Sequence, residues 1–142
     1  MVARFDTIDS PDGRKLLGLW ETAPGLYGWL ASVDHKSIGI RYLCTAFFFL
    51  VIGGVEALVM RVQLAQPDLK VLSPDAYNQL FSMHGTTMMF LYALPMLSGF
   101  SNYLWPLMLG SRDMAFPRLN ALSYWVFLLA GIFLYVSFPI GQ

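Results

Sequence analysis

His84 stands in Tyr77-Asn-Gln-Leu-Phe-Ser-Met-His-Gly-Thr-Thr-Met-Met-Phe90, near the start of a long apolar run. An ionisable side chain at membrane depth costs free energy, so it is usually paired or functional. Neutral imidazole is the commonest side-chain metal ligand. Gly85 has no Cβ, so a flat macrocycle can approach the backbone beside it. Leu80, Thr87, Met88 and Leu91 share the helical face of His84 by i±3 and i±4 spacing, which predicts a mostly apolar wall. That combination suits a haem iron. A histidine hydrogen-bonded inside a helix bundle is the plainer reading of the same spacing.

Other polar residues repeat the choice. Arg61 ends an apolar run, at a depth comparable with His84 if each is counted from the same membrane face. It is placed to hydrogen-bond a haem substituent or to snorkel to headgroups. Asp113 lies in Gly110-Ser-Arg-Asp-Met-Ala-Phe-Pro-Arg118. Asn102 should sit about 12 Å inside the end of the preceding span, and Asn120 about 5 Å into the next. A surface carboxylate followed by amides at increasing depth could admit protons, because amides order water without holding charge. The plainer reading is a helix-capping Asp and amides that join helices. Glu56 lies within an apolar run, either as a quinone or proton ligand or paired with a helix outside this chain.

The composition places these groups in a membrane. Hydrophobic residues make up 56% of the 142 and charged residues 13%, against about a quarter in soluble domains. The net charge is zero, so nothing points to nucleic acid. One cysteine, Cys44, excludes a disulfide framework. Residues 1–36 are read as an N-terminal segment without the apolar core of a secretory signal. Its Trp20, Tyr27 and Trp29 suit either the cytoplasmic membrane surface or packing on partner subunits.

Residues 37–142 divide into three spans, at about 38–60, 77–109 and 119–140. Each can cross a hydrocarbon core of about 30 Å. The second is longer than a crossing needs, which predicts tilt or a kink at Pro95. Arg4, Arg14, Lys15, Lys36, Arg41, Arg112 and Arg118 fall on one side, against Arg61 and Lys70 on the other. This bias places the N-terminus and the second loop in the cytoplasm; the expected location is a bacterial-type plasma membrane.

Five blocks carry a resemblance: Val33-Asp-His-Lys-Ser-Ile-Gly39, Met60-Arg61, Met83-His-Gly85, Pro106-Leu-Met-Leu-Gly110 and Asp113-Met-Ala-Phe-Pro-Arg-Leu-Asn120. In order and spacing, from about Trp29 to Trp125, the chain resembles subunit I of the haem–copper terminal oxidases, A-type. The resemblance implies an all-α membrane protein: a cytoplasmic N-terminal segment plus three transmembrane helices, the first part of a bundle of about twelve. It makes His84 an axial ligand of the low-spin haem, haem A with haem B as the alternative. Arg61 becomes a contact of that haem's formyl group. Asp113 becomes the cytoplasmic mouth of a proton pathway whose first stretch Asn102 and Asn120 line, with Tyr42 close by.

The second haem, the copper and their ligands belong to the complete subunit and have no counterpart among these residues. The expected partners are the remainder of subunit I, other oxidase subunits, membrane lipids and cytochrome c as electron donor. The expected activity is dioxygen reduction to water coupled to proton pumping. Two alternatives stand beside it: a quinol oxidase of the same family, and a truncated non-catalytic membrane protein. Positions matching a quinol site read Ile52, Glu56, Ala76 and Gln79, so two of its four polar groups are replaced. The Asp113 block argues against nitric oxide reductases. Gln63 stands where relatives often carry a carboxylate of a cation site, so that metal is not expected.

Overall fold

The computed structural model describes the backbone of residues 25–140 and the side chains of residues 25–138; Trp20 and the rest of 1–24 lie outside it. Among the described residues all regular structure is helical. Helix α1 is Gly25–Ala31, α2 is His35–Gln63, α3 is Pro74–Thr86, α4 is Leu94–Leu109 and α5 is Pro117–Ile140. A π-helical segment, Thr87–Ala93, joins α3 to α4 without a break. The chain forms two compact units, Met1–Ser32 and Val33–Gln142. In the first, α1 is short and leaves Leu26 and Tyr27 exposed.

Local chemistry sets the helix ends of the larger unit. Asp34, in extended conformation, precedes α2. Ser73 accepts the Ala76 N–H at 3.2 Å, and Pro74 fills the first turn of α3, where its missing N–H costs nothing. Gly110 closes α4 at φ +66°, a left-handed conformation that glycine adopts without Cβ strain. Ser111 then donates its N–H to the Pro106 carbonyl at 2.9 Å.

The expected kink at Pro95 takes another form. In α-helical register the Pro95 ring would collide with the Leu91 carbonyl and leave a hydrogen bond unmade. The chain widens to π spacing just before it, with the Leu94 N–H reaching back to the Met89 carbonyl. Of the residues expected beside His84, Thr87 and Met88 lie against Gly53, and Thr87 and Leu91 are buried in the bundle. Thr87 bonds the Tyr135 hydroxyl at 2.7 Å, and Leu91 packs against Gly131.

Helix α2, the α3–α4 stretch and α5 run up, down and up. Tyr42 meets Ser123, Thr45 meets Tyr124, and Glu56 meets Tyr135, so α2 and α5 advance together. Helix α2 is central and packs most extensively on α4. Gly39 and Gly99 make that contact possible. A Cβ on Gly39 would lie 2.9 Å from the Gly99 carbonyl oxygen and 3.1 Å from the Tyr103 nitrogen, backbone atoms that cannot step aside. Gly39→Ala should therefore force α2 and α4 apart at a cost of about 1–3 kcal/mol. Thermal unfolding of the purified complex should show a lower midpoint; an unchanged midpoint would mean that the crossing is looser than this.

Arg41 is buried, stacked over the Tyr124 ring at 5.3 Å, with Nε bonded to the Ser37 carbonyl at 3.2 Å. Such a desolvated cation–π contact contributes about 2 kcal/mol. The outward faces are apolar, with Phe47, Phe48, Val51, Leu58 and Phe133 exposed. Helices α2 and α5 are each long and apolar enough to cross a membrane; α3 and α4 are shorter pieces of one helical stretch.

Candidate functional site

His84 lies near the end of α3, and α2 fixes its ring. The Gly53 carbonyl lies 2.9 Å from Nδ1, which makes Nδ1 the donor and places the lone pair on Nε2. A histidine ligand to a metal is commonly held in this way, its second nitrogen anchored to a carbonyl that fixes tautomer and rotation. The side chain remains 29% exposed, so the ring is accessible. Added Cβ atoms on Gly54 or Gly85 would meet nothing within 4 Å. An anchored imidazole with a free outer nitrogen, beside open glycine backbone, fits a haem iron.

Glu56 lies one helical turn beyond Gly53 and is buried. Beside the expected roles as a quinone or proton ligand or a pair with a helix outside the chain, it has a partner within the chain. Its Oε1 accepts the Tyr135 hydroxyl at 3.0 Å, and its Oε2 faces His84 Nδ1 at 3.9 Å. The tertiary approach of α5 produces this, and no local sequence signal announces it. Arg61 is exposed near the end of α2, and no described contact joins it to His84.

Gln63 braces the loop that follows α2. Its Oε1 accepts the N–H groups of Val71 at 3.0 Å and Leu72 at 2.8 Å, while its Nε2 donates to the Leu69 carbonyl. An amide can both donate and accept, which a carboxylate there could not do unaided. Gln79, one of the positions compared with a quinol site, lines a groove of about 400 Å3 with Asn78, Ser82 and Ser137. Glu56 is not part of that lining.

At the opposite end of the bundle, Asp113 Oδ1 lies 3.3 Å from His35 Nδ1, as does Asp34 Oδ1. His35 is 1% exposed. Sequence reasoning gave it no role, because its partner comes from a distant loop; the Asp-His pair opening the first block was the available signal. Asp113 also accepts the Met114 N–H at 2.8 Å, ahead of α5 rather than within its first turn.

Asn102 donates Nδ2–H to the Ser98 carbonyl at 2.9 Å, leaving its buried Oδ1 without a protein partner. Asn120 Nδ2 is likewise buried and unbonded. Unmet buried polar atoms cost about 1–3 kcal/mol each, so both amides are poised to bind water. Nearby, Tyr42 shares a hydrogen bond with Ser123 at 3.0 Å, and Ser123 donates to the Asn120 carbonyl at 2.7 Å.

These features define a helical membrane bundle with an anchored, outward-facing imidazole toward one end and a carboxylate–amide series toward the other. Residues 37–142 match the family described as cytochrome c and quinol oxidase polypeptide I, and the chain belongs to it. It is 54% identical over 104 residues to a putative cytochrome c oxidase subunit 1-beta of Streptomyces avermitilis, covering 73% of this chain and 18% of that one. It is 49% identical over 116 residues to cytochrome c oxidase subunit 1 of Bacillus subtilis, covering 82% and 19%. A haem-copper oxidase subunit I+III of Aeropyrum pernix is 50% identical over 113 residues, covering 80% and 14%. The chain thus spans about a fifth or less of the length of these relatives.

Proposed function

We propose that this chain supplies the N-terminal spans of the catalytic subunit of a respiratory terminal oxidase. In that subunit His84 would hold a low-spin haem, which would supply single-electron transfer toward the haem–copper centre. The observation that carries this is the Gly53–His84 bond, which engages Nδ1 and leaves Nε2 as the nitrogen with a lone pair. The complete enzyme reduces dioxygen to water and pumps protons. Its second haem and copper are held by residues beyond these spans.

In this reading α2, the α3–α4 stretch and α5 are three membrane crossings, with residues 1–36 on the cytoplasmic side of a bacterial plasma membrane. The Lys and Arg bias supports that orientation. His84 Nε2 holds the iron of a low-spin haem, haem A or alternatively haem B. Bound there, that haem accepts and passes single electrons. The Gly53 carbonyl keeps the ring from rotating. Asp113 takes protons from the cytoplasm, and Asn120 and Asn102 hold the water behind it.

Arg61 reaches the haem formyl group. Arg61→Met should then move the low-spin haem absorption to the blue, because a charged donor in a low-dielectric site polarises the formyl group strongly. An unchanged absorption maximum would leave Arg61 anchored to lipid headgroups.

The donor is cytochrome c, and the partners are the remainder of subunit I, other oxidase subunits and membrane lipid. Ile52 and Ala76 at two of the four positions compared with a quinol site support this donor over quinol, which needs directional partners at both oxygens. The test is oxygen uptake by the assembled complex with each donor supplied alone. Uptake driven by ferrocytochrome c supports the proposal. Uptake driven only by quinol would make it a quinol oxidase, and no uptake with either would favour a non-catalytic subunit.

A further inference from the structure

We propose that Glu56 is a positioning residue for His84, a carboxylate held by Tyr135 that lowers the reduction potential of the iron His84 holds. This deepens the haem reading of His84 and rests on it. Three helices meet at this point. Glu56 comes from α2, His84 from α3 and Tyr135 from α5. Tyr135 has one hydroxyl proton and directs it to Glu56 Oε1 at 3.0 Å. The Thr87 hydroxyl, 2.7 Å away and fully buried, therefore donates to the Tyr135 oxygen. The result is a directed chain, Thr87 to Tyr135 to Glu56, that fixes the rotation of the carboxyl group.

The other oxygen is the informative one. Glu56 Oε2 is buried without a hydrogen-bond partner and lies 3.9 Å from His84 Nδ1. Oε1 thus accepts the tyrosine O–H, while Oε2 lies beside the imidazole edge without a bond to it. The clasp between α2 and α5 is made by Oε1 alone, so Oε2 is left to act on what lies beside it. Leaving a second acceptor buried and unbonded costs about 1–3 kcal/mol, which argues for a role toward the imidazole edge. The Nδ1–H bond itself goes to Gly53 at 2.9 Å, so Glu56 acts across space rather than by a direct hydrogen bond.

What Glu56 brings to the ring is therefore its negative charge, 3.9 Å from the imidazole edge. In a bundle interior that charge is poorly screened. It favours the more positive, oxidised iron. The Tyr135 hydroxyl draws charge toward Oε1 and moderates the effect.

The experiment is potentiometry of the low-spin haem in the complete, assembled oxidase. Glu56→Gln keeps the shape and an acceptor for Tyr135 but removes the charge. At fixed potential its ratio of oxidised to reduced low-spin haem should fall at least about tenfold, a positive shift of about 59 mV for one electron. Tyr135→Phe should move the midpoint the other way and by less. A midpoint unchanged from wild type in both variants, with low-spin haem in place, would make Glu56 an interhelical clasp and overturn the proposal. If Glu56→Gln loses the haem, Glu56→Asp decides: recovery of haem near the wild-type midpoint supports the charge, and continued loss assigns Glu56 to packing. Retention of a full low-spin spectrum in His84→Leu would instead sink the haem reading beneath it.

Discussion

Asp113→Asn in the complete oxidase should slow oxygen consumption about tenfold or more, a barrier increase of at least about 1.4 kcal/mol, and should abolish proton pumping. The substitution preserves shape and can still accept the Met114 N–H through its amide oxygen. Loop geometry should therefore survive, and the loss is that of a titratable group. Asp113 lies beside His35 at one end of the bundle, and in the proposed orientation that end faces the cytoplasm, where a carboxylate exchanges protons with bulk water. Behind it, Asn120 and Asn102 each present a buried, unbonded polar atom suited to water.

Asn102→Asp or Asn120→Asp places a charge on that route. Either should uncouple pumping from oxygen reduction even where turnover continues, because a fixed carboxylate holds the proton that an amide would let pass. The measurement is proton release per electron from reconstituted vesicles, recorded beside oxygen uptake. Wild-type rate and stoichiometry in Asp113→Asn would reduce Asp113 to a loop-stabilising residue.

Local chemistry made much of the fold legible in the sequence. Pro74 and Gly110 bracketed the second helical stretch because one tolerates a missing N–H and the other a positive φ. The apolar runs gave α2 and α5 within a few residues of their ends. Pro95 was recognised as a disturbance, but its relief through π spacing was not. Several geometries avoid a proline clash, and neighbouring helices select among them.

The site divides in the same way. His84, Asp113, Asn102 and Asn120 stood out because their residue types are costly or specific where they occur. Their partners did not. The Gly53 carbonyl is a backbone group that no side-chain pattern reveals. His35 meets Asp113, and Glu56 meets Tyr135, only because α2 packs beside the loop and helix that follow α4. Glu56 read as a group awaiting a missing helix because its partner, Tyr135, looked like one more aromatic residue in an apolar run.

The central claim is that His84 ligates the low-spin haem, and the reduced-minus-oxidised spectrum of His84→Leu in the complete, assembled subunit tests it most directly. Leucine fills the space but offers no lone pair, so the iron loses an axial ligand while the helix keeps its packing. The account predicts that the low-spin haem band disappears while the subunit still inserts in the membrane. Full low-spin occupancy in that variant would contradict it and return His84 to a histidine hydrogen-bonded within a helix bundle.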